Sequence, residues 1–289
     1  MTAIDRSTLH IGPMTDEEVG ILGRWAADEG WNPGRNDLDI ARAIDPEAFI
    51  ALRRGDELLG GGSIFSYDGR FGFMGLFILR ADVRGQGLGA WLWQTRARLL
   101  EQRLQPGAGI GMDGVFAMVP FYARGGFQLA YHDLRFEGDA PVLSEPDGLS
   151  ELSSVAFETI AAYDRACVAT PRDRFLKAWL AQPGAIGRCI HENGVLRAYG
   201  LLRPCVTGYK IGPLFADTPD HAERLLTGLL ARIPGQRVQI DVPEPNAAGL
   251  ALAGRFGLTE SFGCARMYKG PAPELPIERI FGVTSLEFG

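Results

Sequence analysis

The chain has 289 residues, of which 46% are hydrophobic and 22% charged, and its formal net charge is −6. This length exceeds a typical domain of about 100–200 residues, so we expect two globular domains. The sequence has no run of lysines and arginines, which argues against a nucleic-acid partner. Acidic residues near the N-terminus argue against a signal peptide, and the lack of about 18 successive apolar residues argues against a membrane segment. Both features favour a cytoplasmic protein.

The cysteine pattern favours neither a metal nor a disulfide. All four cysteines fall in the second half, without a CxxC pair or a histidine at metal-binding spacing; they are Cys167, Cys189, Cys205 and Cys264. Reduced, buried thiols are therefore favoured over a zinc site or disulfides.

In chain order, the first half predicts helices mixed with antiparallel strands. A strand at residues 9–14 precedes a helix that opens with a capping box, Thr15 followed by Glu18. A second helix is expected at 38–44, and three strand-like runs follow, joined by turns at 55–56 and 68–69. After a glycine-rich turn come a helix with an apolar stripe, a strand, a brief helix and a closing strand.

A stretch rich in Gly, Pro, Asp and Ser at residues 137–150 predicts a linker, after which the outline repeats. The motif LAGRFGL at 252–258 can be laid over FYARGGF at 121–127. We therefore expect an α/β (α+β) fold with two tandem domains, each a mixed, mostly antiparallel sheet flanked by helices. The predicted domains are residues 1–137 and 151–289, with 138–150 as linker.

The glycine-rich turn, DVRGQGLGAW at residues 82–91, is the main chemical signal. Unpaired amides at a helix N-terminus bind anions, and glycines let a phosphate approach the backbone closely. A tight turn without a ligand is the alternative. No Lys-Ser/Thr pair follows the glycines, and the preceding strands are joined by hairpins, which excludes an NTPase phosphate loop and a Rossmann motif.

The spacing of Arg84, Gly87 and Gly89 resembles the signature of the GNAT superfamily of acetyl-CoA-dependent N-acetyltransferases. The resemblance implies that acetyl-CoA is the co-substrate and that no metal takes part. It also implies that the pyrophosphate binds to backbone amides after Arg84, and that the pantetheine arm pairs along the preceding strand. The first group is Gly85, Gln86, Gly87, Leu88, Gly89 and Ala90, and the second is Phe77, Ile78 and Leu79.

A tyrosine in a short helix that ends in Gly-Phe is a second mark of that family. Tyr122 lies five residues before Phe127, and the resemblance implies that its phenol protonates the departing thiolate of coenzyme A. A tyrosine that merely packs through its ring is the alternative. Val115 stands where many GNAT sequences place an asparagine, which puts one cofactor contact in doubt.

The sequence does not single out a general base. Asp113, His132 and Asp133 lie near the right strands, and transfer of the proton through water is an equal alternative.

The second half resembles a GNAT domain that has lost its chemistry. Asp220 and Glu223 occupy the first turn of the helix that corresponds to the anion site, where they would repel a phosphate, and Ala253 overlays Tyr122. The stretches at 29–37 and 163–176 and the ending RIFGVTSLEFG look like those of a bacterial tandem GNAT family.

The resemblance implies an active first domain whose acceptor cleft is walled by the second. Candidate acceptor contacts are Trp31, Asn32, Tyr163 and Asp164, although ordinary packing or capping could explain each. We expect an N-acetyltransferase that acts on an amine of a small molecule by direct attack within a ternary complex. A protein N-terminal or lysine acetyltransferase and a non-catalytic acyl-CoA sensor remain alternatives. A monomer or weak homodimer is expected.

Overall fold

The computed structural model describes residues 6–289, and its first half alternates strands and helices as predicted. The strands of this half are β1 (Leu9–Pro13), β2 (Phe49–Arg54), β3 (Glu57–Tyr67), β4 (Phe71–Leu79), β5 (Gly109–Val115) and β6 (Gln128–Asp139). Its helices are α1 (Asp16–Asp28), α2 (Asp37–Ile44), α3 (Leu88–Glu101) and α4 (Val119–Arg124). The capping box is confirmed, because Thr15 accepts a hydrogen bond from the Glu18 amide and the Thr15 amide donates to Glu18 at 2.7 Å.

The second half repeats this arrangement. Its strands are β7 (Leu149–Glu151), β8 (Ile186–Glu192), β9 (Val195–Pro204), β10 (Tyr209–Ala216), β11 (Arg237–Pro243), β12 (Thr259–Lys269) and β13 (Ile280–Gly282). Its helices are α5 (Phe157–Arg165), α6 (Asp173–Leu180), α7 (Pro219–Leu230) and α8 (Ala247–Arg255). The mixed, mostly antiparallel architecture is confirmed. All four cysteines are buried and unpaired, and no helix within residues 6–289 is both long and apolar enough to cross a membrane.

The two halves share one continuous sheet because they exchange their closing strands. The order is β1-β2-β3-β4-β5-β12-β6-β11-β10-β9-β8-β7, with β13 paired to β10. Strand β12 inserts beside β5, where Cys264 lies opposite Val115, while β6 pairs along its length with β11. Each half thus completes the sheet of the other. The division at residues 138–150 stays a prediction.

Two parallel strand pairs each open into a V. Strands β4 and β5 pair only as far as Met74 and Met112, although both continue beyond that point. Strands β10 and β11 likewise pair only as far as Ile211 and Ile240. Beyond these points the facing backbone groups have no partner in the neighbouring parallel strand, so something else must satisfy them.

The chain itself fills the opening in the second half. Strand β13 pairs with β10, with Gly282 opposite Leu214, and the Val283 amide donates to the Asp241 carbonyl of β11 at 2.9 Å. Phe281 is buried in the core between these strands and α8. In the described residues, no strand enters the opening between β4 and β5 in this way.

The loop between α1 and α2 is tied to the second half by polar contacts. The Asn32 side chain donates to the Thr207 carbonyl and accepts from the Thr207 amide, both at 2.9 Å. Asp37 forms an ion pair with Arg203, with Nε 3.0 Å from Oδ1, and both side chains are fully buried. The loop therefore has a fixed position beside the first opening.

We predict that Asp37→Asn destabilises the protein by about 3–5 kcal/mol, because it leaves the buried Arg203 guanidinium without its counter-ion. Urea unfolding followed by circular dichroism measures this loss. Glu57→Gln is the matched control, since Glu57 pairs with Arg54 on the surface, and its unfolding midpoint should match that of the unaltered protein. Equal midpoints for both variants would contradict the importance of the buried pair.

Candidate active site

A cavity of about 480 Å³ occupies the opening between β4 and β5. One wall is the end of β4, and another is the glycine-rich turn with the start of α3. Helix α4 contributes Phe121 and Tyr122, and the α1–α2 region contributes Glu29 and Trp31. The second half closes the cavity with Phe262, Cys264, Leu286 and Glu287. The exchange of strands therefore builds this site from both halves.

The glycine-rich turn has the geometry of an anion site. Gly85 and Gly87 both adopt a φ of 76°, and Gly87 is the N-cap of α3, whose first turn has no acidic residue. The amides at this end have no partner within the helix and lie beside the cavity. Of the predicted group, the residues that line the cavity are Arg84, Gly85, Gly87, Gly89 and Ala90. Gln86 instead donates to the Asp82 carbonyl at 3.3 Å, and the Leu88 side chain is buried in the core.

A carboxylate that the sequence did not indicate lies next to this turn. Glu29, at the end of α1, forms an ion pair with Arg84, which also donates from Nε to the Leu79 carbonyl at 2.8 Å. The pair lies 55 positions apart in the chain. Both side chains are more than one third exposed, so a bound phosphate can compete with Glu29 for Arg84.

Strand β4 has a bulge where it enters the cavity. The register with β3 shifts between Gly61 and Ser63, and Leu76 adopts a φ of 53°. Arg96 of α3, which is fully buried, donates from Nη2 to the Gly75 carbonyl at 2.7 Å and so fixes the bulge. Burial lowers the pKa of Arg96 to about 9.

The predicted pantetheine strand follows the bulge. Phe77, Ile78 and Leu79 all line the cavity on the side of β4 where pairing with β5 has ended. Apart from the Leu79 carbonyl, which accepts from Arg84, their backbone groups on that side are thus available to an extended ligand.

Tyr122 lies in the same cavity. Its side chain is 5% exposed, and its ring packs against Trp93 with centroids 4.7 Å apart. No group among residues 6–289 forms a hydrogen bond with its hydroxyl. Burial raises the pKa of Tyr122 to about 12, so the phenol stays neutral and can donate a proton.

Of the three candidate bases, only Asp113 lines the cavity. Both of its oxygens accept from Arg266, at 2.6 and 2.7 Å. Asp133 Oδ2 lies 3.3 Å from the same guanidinium without an aligned hydrogen bond. Burial raises the pKa of both carboxyls, most for Asp133, although the Arg266 guanidinium opposes this shift. His132 lies elsewhere, with Nδ1 2.8 Å from Glu244.

Of the four predicted acceptor contacts, only Trp31 lines the cavity. The Asn32 side chain is engaged by Thr207 and by Gln239. Tyr163 and Asp164 do not line the cavity but belong to the second half's interior. Tyr163 donates to the Arg197 carbonyl at 2.7 Å, and Asp164 accepts two hydrogen bonds from Arg172. Their polar atoms are thus used within their own half, which corrects their assignment to the cleft.

Besides Glu29, sequence reasoning missed two other charged residues of the cavity, Arg135 and Glu287. Arg135 forms a buried ion pair with Asp241, at 2.6 Å between Nε and Oδ1. Glu287 belongs to the ending RIFGVTSLEFG, which was noticed only as a resemblance. No local pattern predicts that these residues reach the first half's opening, because β6 and the chain end cross over only in the folded sheet.

The corresponding region of the second half differs at every point. Strand β13 occupies its opening, and the N-cap Thr218 of α7 is followed by Asp220 in the first turn, as expected. Glu223 pairs with Arg255, and Ala253 is buried at the place that overlays Tyr122. Among the described residues of this half, the open strand edge, the helix start free of acidic residues and the tyrosine thus have no counterpart.

Comparisons with known proteins agree with this architecture. A model described as the acetyltransferase (GNAT) family matches residues 18–127, and one described as an acetyltransferase (GNAT) domain matches 160–282. Holothin acyltransferase of Pseudoalteromonas sp. (strain SANK 73390) is 28% identical over 280 residues, covering 96% of this chain and 93% of that protein.

Solved structures show the same fold over the whole chain. A candidate acetyltransferase from Pyrococcus horikoshii superposes with a TM-score of 0.83 at 22% identity, covering 99% of this chain and 98% of that one. A tandem GNAT protein from the clavulanic acid biosynthesis pathway gives 0.63 at 14% identity, covering 92% and 99%. The chain belongs to the GNAT superfamily and is an acyltransferase with two tandem GNAT domains.

Proposed function

We propose that the protein transfers an acetyl group from acetyl-CoA to the amine of a small-molecule acceptor, by direct attack within a ternary complex. One observation carries this proposal: the glycine-rich turn, the open side of β4 and Tyr122 all line one cavity. The turn suits a diphosphate, the open side of β4 suits an extended arm that carries amides, and Tyr122 suits a thiol leaving group.

The residues present fit coenzyme A. Amides at the N-terminus of α3 suit the pyrophosphate, and Gly85, Gly87 and Gly89 leave the backbone of the turn open. The backbone groups on the open side of β4 at Phe77–Leu79 suit the amides of the pantetheine arm. Phe77 and Phe121 stack with planes 7° apart and add an apolar surface beside that arm.

The reaction follows from these positions. The acceptor nitrogen attacks the thioester carbon, and a backbone amide near Phe77 or Ile78 donates to the developing oxyanion. The carbon–sulfur bond then breaks, and Tyr122 gives its proton to the sulfur. Because burial keeps the phenol protonated, this acid is ready at any neutral or mildly alkaline pH.

The walls of the cavity support a small acceptor over a protein chain. Phe262, Cys264 and Leu286 of the second half close the cavity, which leaves about 480 Å³ for both substrates. The related protein named holothin acyltransferase also suggests a small molecule. We infer that the second domain is catalytically silent and serves as this wall, and that residues 138–150 link the two domains.

We predict that Gly87→Glu lowers the affinity for acetyl-CoA by at least about 100-fold, because it adds a carboxylate and a strained side chain at the phosphate site. Isothermal titration calorimetry measures the dissociation constant. Gly107→Glu is the control, since Gly107 also has a positive φ, of 84°, in an open turn before β5. Unchanged binding by Gly87→Glu would remove the anion site from the proposal.

The rate of turnover tests whether Tyr122 acts as the general acid. Tyr122→Phe should lower the rate of amine-dependent thiol release by about 10²–10⁴-fold, with the dissociation constant of acetyl-CoA unchanged. Release is followed with a thiol reagent across a panel of small amines. A variant as fast as the unaltered protein would make Tyr122 a packing residue. Tight binding without release for any amine or peptide would instead favour an acyl-CoA sensor.

A further inference from the structure

The end of the chain crosses from one half to the other. After β13 fills the second half's opening, residues 283–288 remain buried and run to the β4 bulge. The backbone there packs so closely on Gly75 that a side chain at that position would overlap the Glu287 carbonyl. Tyr67 fixes the next residue by donating to the Phe288 carbonyl at 2.7 Å. Glu287 is thereby held at the first half's cavity.

The Glu287 side chain is only 4% exposed, yet it lines the cavity. Within residues 6–289, the one hydrogen-bond donor to its carboxylate is the Ser285 hydroxyl, which binds Oε2. The Ser285 oxygen in turn accepts from the Glu287 amide at 3.0 Å. The other carboxylate oxygen is left free for a ligand.

The other charged groups that line the cavity are already paired. Asp113 pairs with Arg266, Arg135 with Asp241 and Arg84 with Glu29. Glu287 has no ion-pair partner among the described residues. Its charge interacts at longer range with Arg135, Arg203 and Lys210, of which the first two have carboxylate partners. Lys210 donates to the Trp31 carbonyl at 3.3 Å rather than to Glu287.

We propose that Glu287 binds the acceptor's amine and accepts its proton, and that the acceptor carries this amine on an apolar frame held by Trp31, Phe262 and Leu286. This inference rests on the proposed acetyl transfer. A carboxylate inside an otherwise paired and largely apolar cavity attracts an amine more strongly than a neutral or acidic group. The chain end of the silent half thus supplies a catalytic residue to the active half.

The proposed transfer is balanced in protons and needs no further reactant. A nitrogen–carbon bond forms as the carbon–sulfur bond breaks, one N–H proton moves to Glu287, and the sulfur takes a proton from Tyr122. Transfer from Glu287 to Tyr122 through solvent restores both groups. An acceptor that enters as an ammonium ion releases one additional proton to solvent by way of the same carboxylate.

Two variants test this role. Glu287→Gln keeps the shape of the side chain and should lower kcat/KM for the amine by about 10²–10⁴-fold, with acetyl-CoA binding unchanged. Ser285→Ala keeps the carboxylate but removes the hydroxyl that donates to it and holds it in place. This variant should therefore lower kcat/KM for the amine by about 10-fold, with acetyl-CoA binding unchanged. Glu244→Gln, at an ion pair outside the cavity, is the control and should leave both quantities unchanged.

The outcomes separate this inference from the proposed function. If the unaltered protein acetylates amines while Glu287→Gln keeps its kcat/KM, Glu287 is not the acceptor residue, although acetyl transfer stands. An unchanged kcat/KM for the amine in Ser285→Ala also overturns the inference, even where Glu287→Gln fails to fold. If the unaltered protein binds acetyl-CoA but acetylates no amine, the proposed function fails first.

Discussion

The divergence of two parallel strands is the constraint on which the rest of this structure depends. Where β4 leaves β5 and β10 leaves β11, backbone groups lose their sheet partners and must be satisfied by something else. The second opening is satisfied by the chain itself, since β13 pairs with β10 and Val283 reaches β11. The first is left as a cavity with an anion turn at its edge. The same loss of strand pairing thus has two outcomes, a half filled by its own chain and a half that keeps an open cavity.

The exchange of β6 and β12 makes the two halves depend on each other. Arg135 on β6 pairs with Asp241 of the second half and lines the cavity of the first. Cys264 on β12 lines the same cavity beside β5. Because these contacts cross the sheet, neither half alone contains all the residues that line the cavity. The buried pair of Asp37 and Arg203 has the same effect on the α1–α2 loop, which it holds near the place where an acceptor would enter.

Local features of this fold could be predicted from the sequence, because capping, turn chemistry and short-range periodicity are encoded by neighbouring residues. The capping box of Thr15 with Glu18 and the helix that begins after the glycine-rich turn are examples. Long-range pairing was not predictable, since nothing near residue 128 indicates that β6 leaves its own half. Glu29 and Glu287 were missed for the same reason. Tyr163 and Asp164 were misplaced because a polar pair in a resembling stretch does not reveal which half will use its hydrogen bonds.

The central claim is that the protein has a single acyl-CoA site, in the first half, because its own chain end occupies the second opening. Calorimetric titration of the full chain with acetyl-CoA tests this most directly through the stoichiometry of binding. The account predicts one molecule bound for each chain. Two equivalents would show that β13 gives way to the ligand, and the absence of binding would show that the glycine-rich turn is not an anion site.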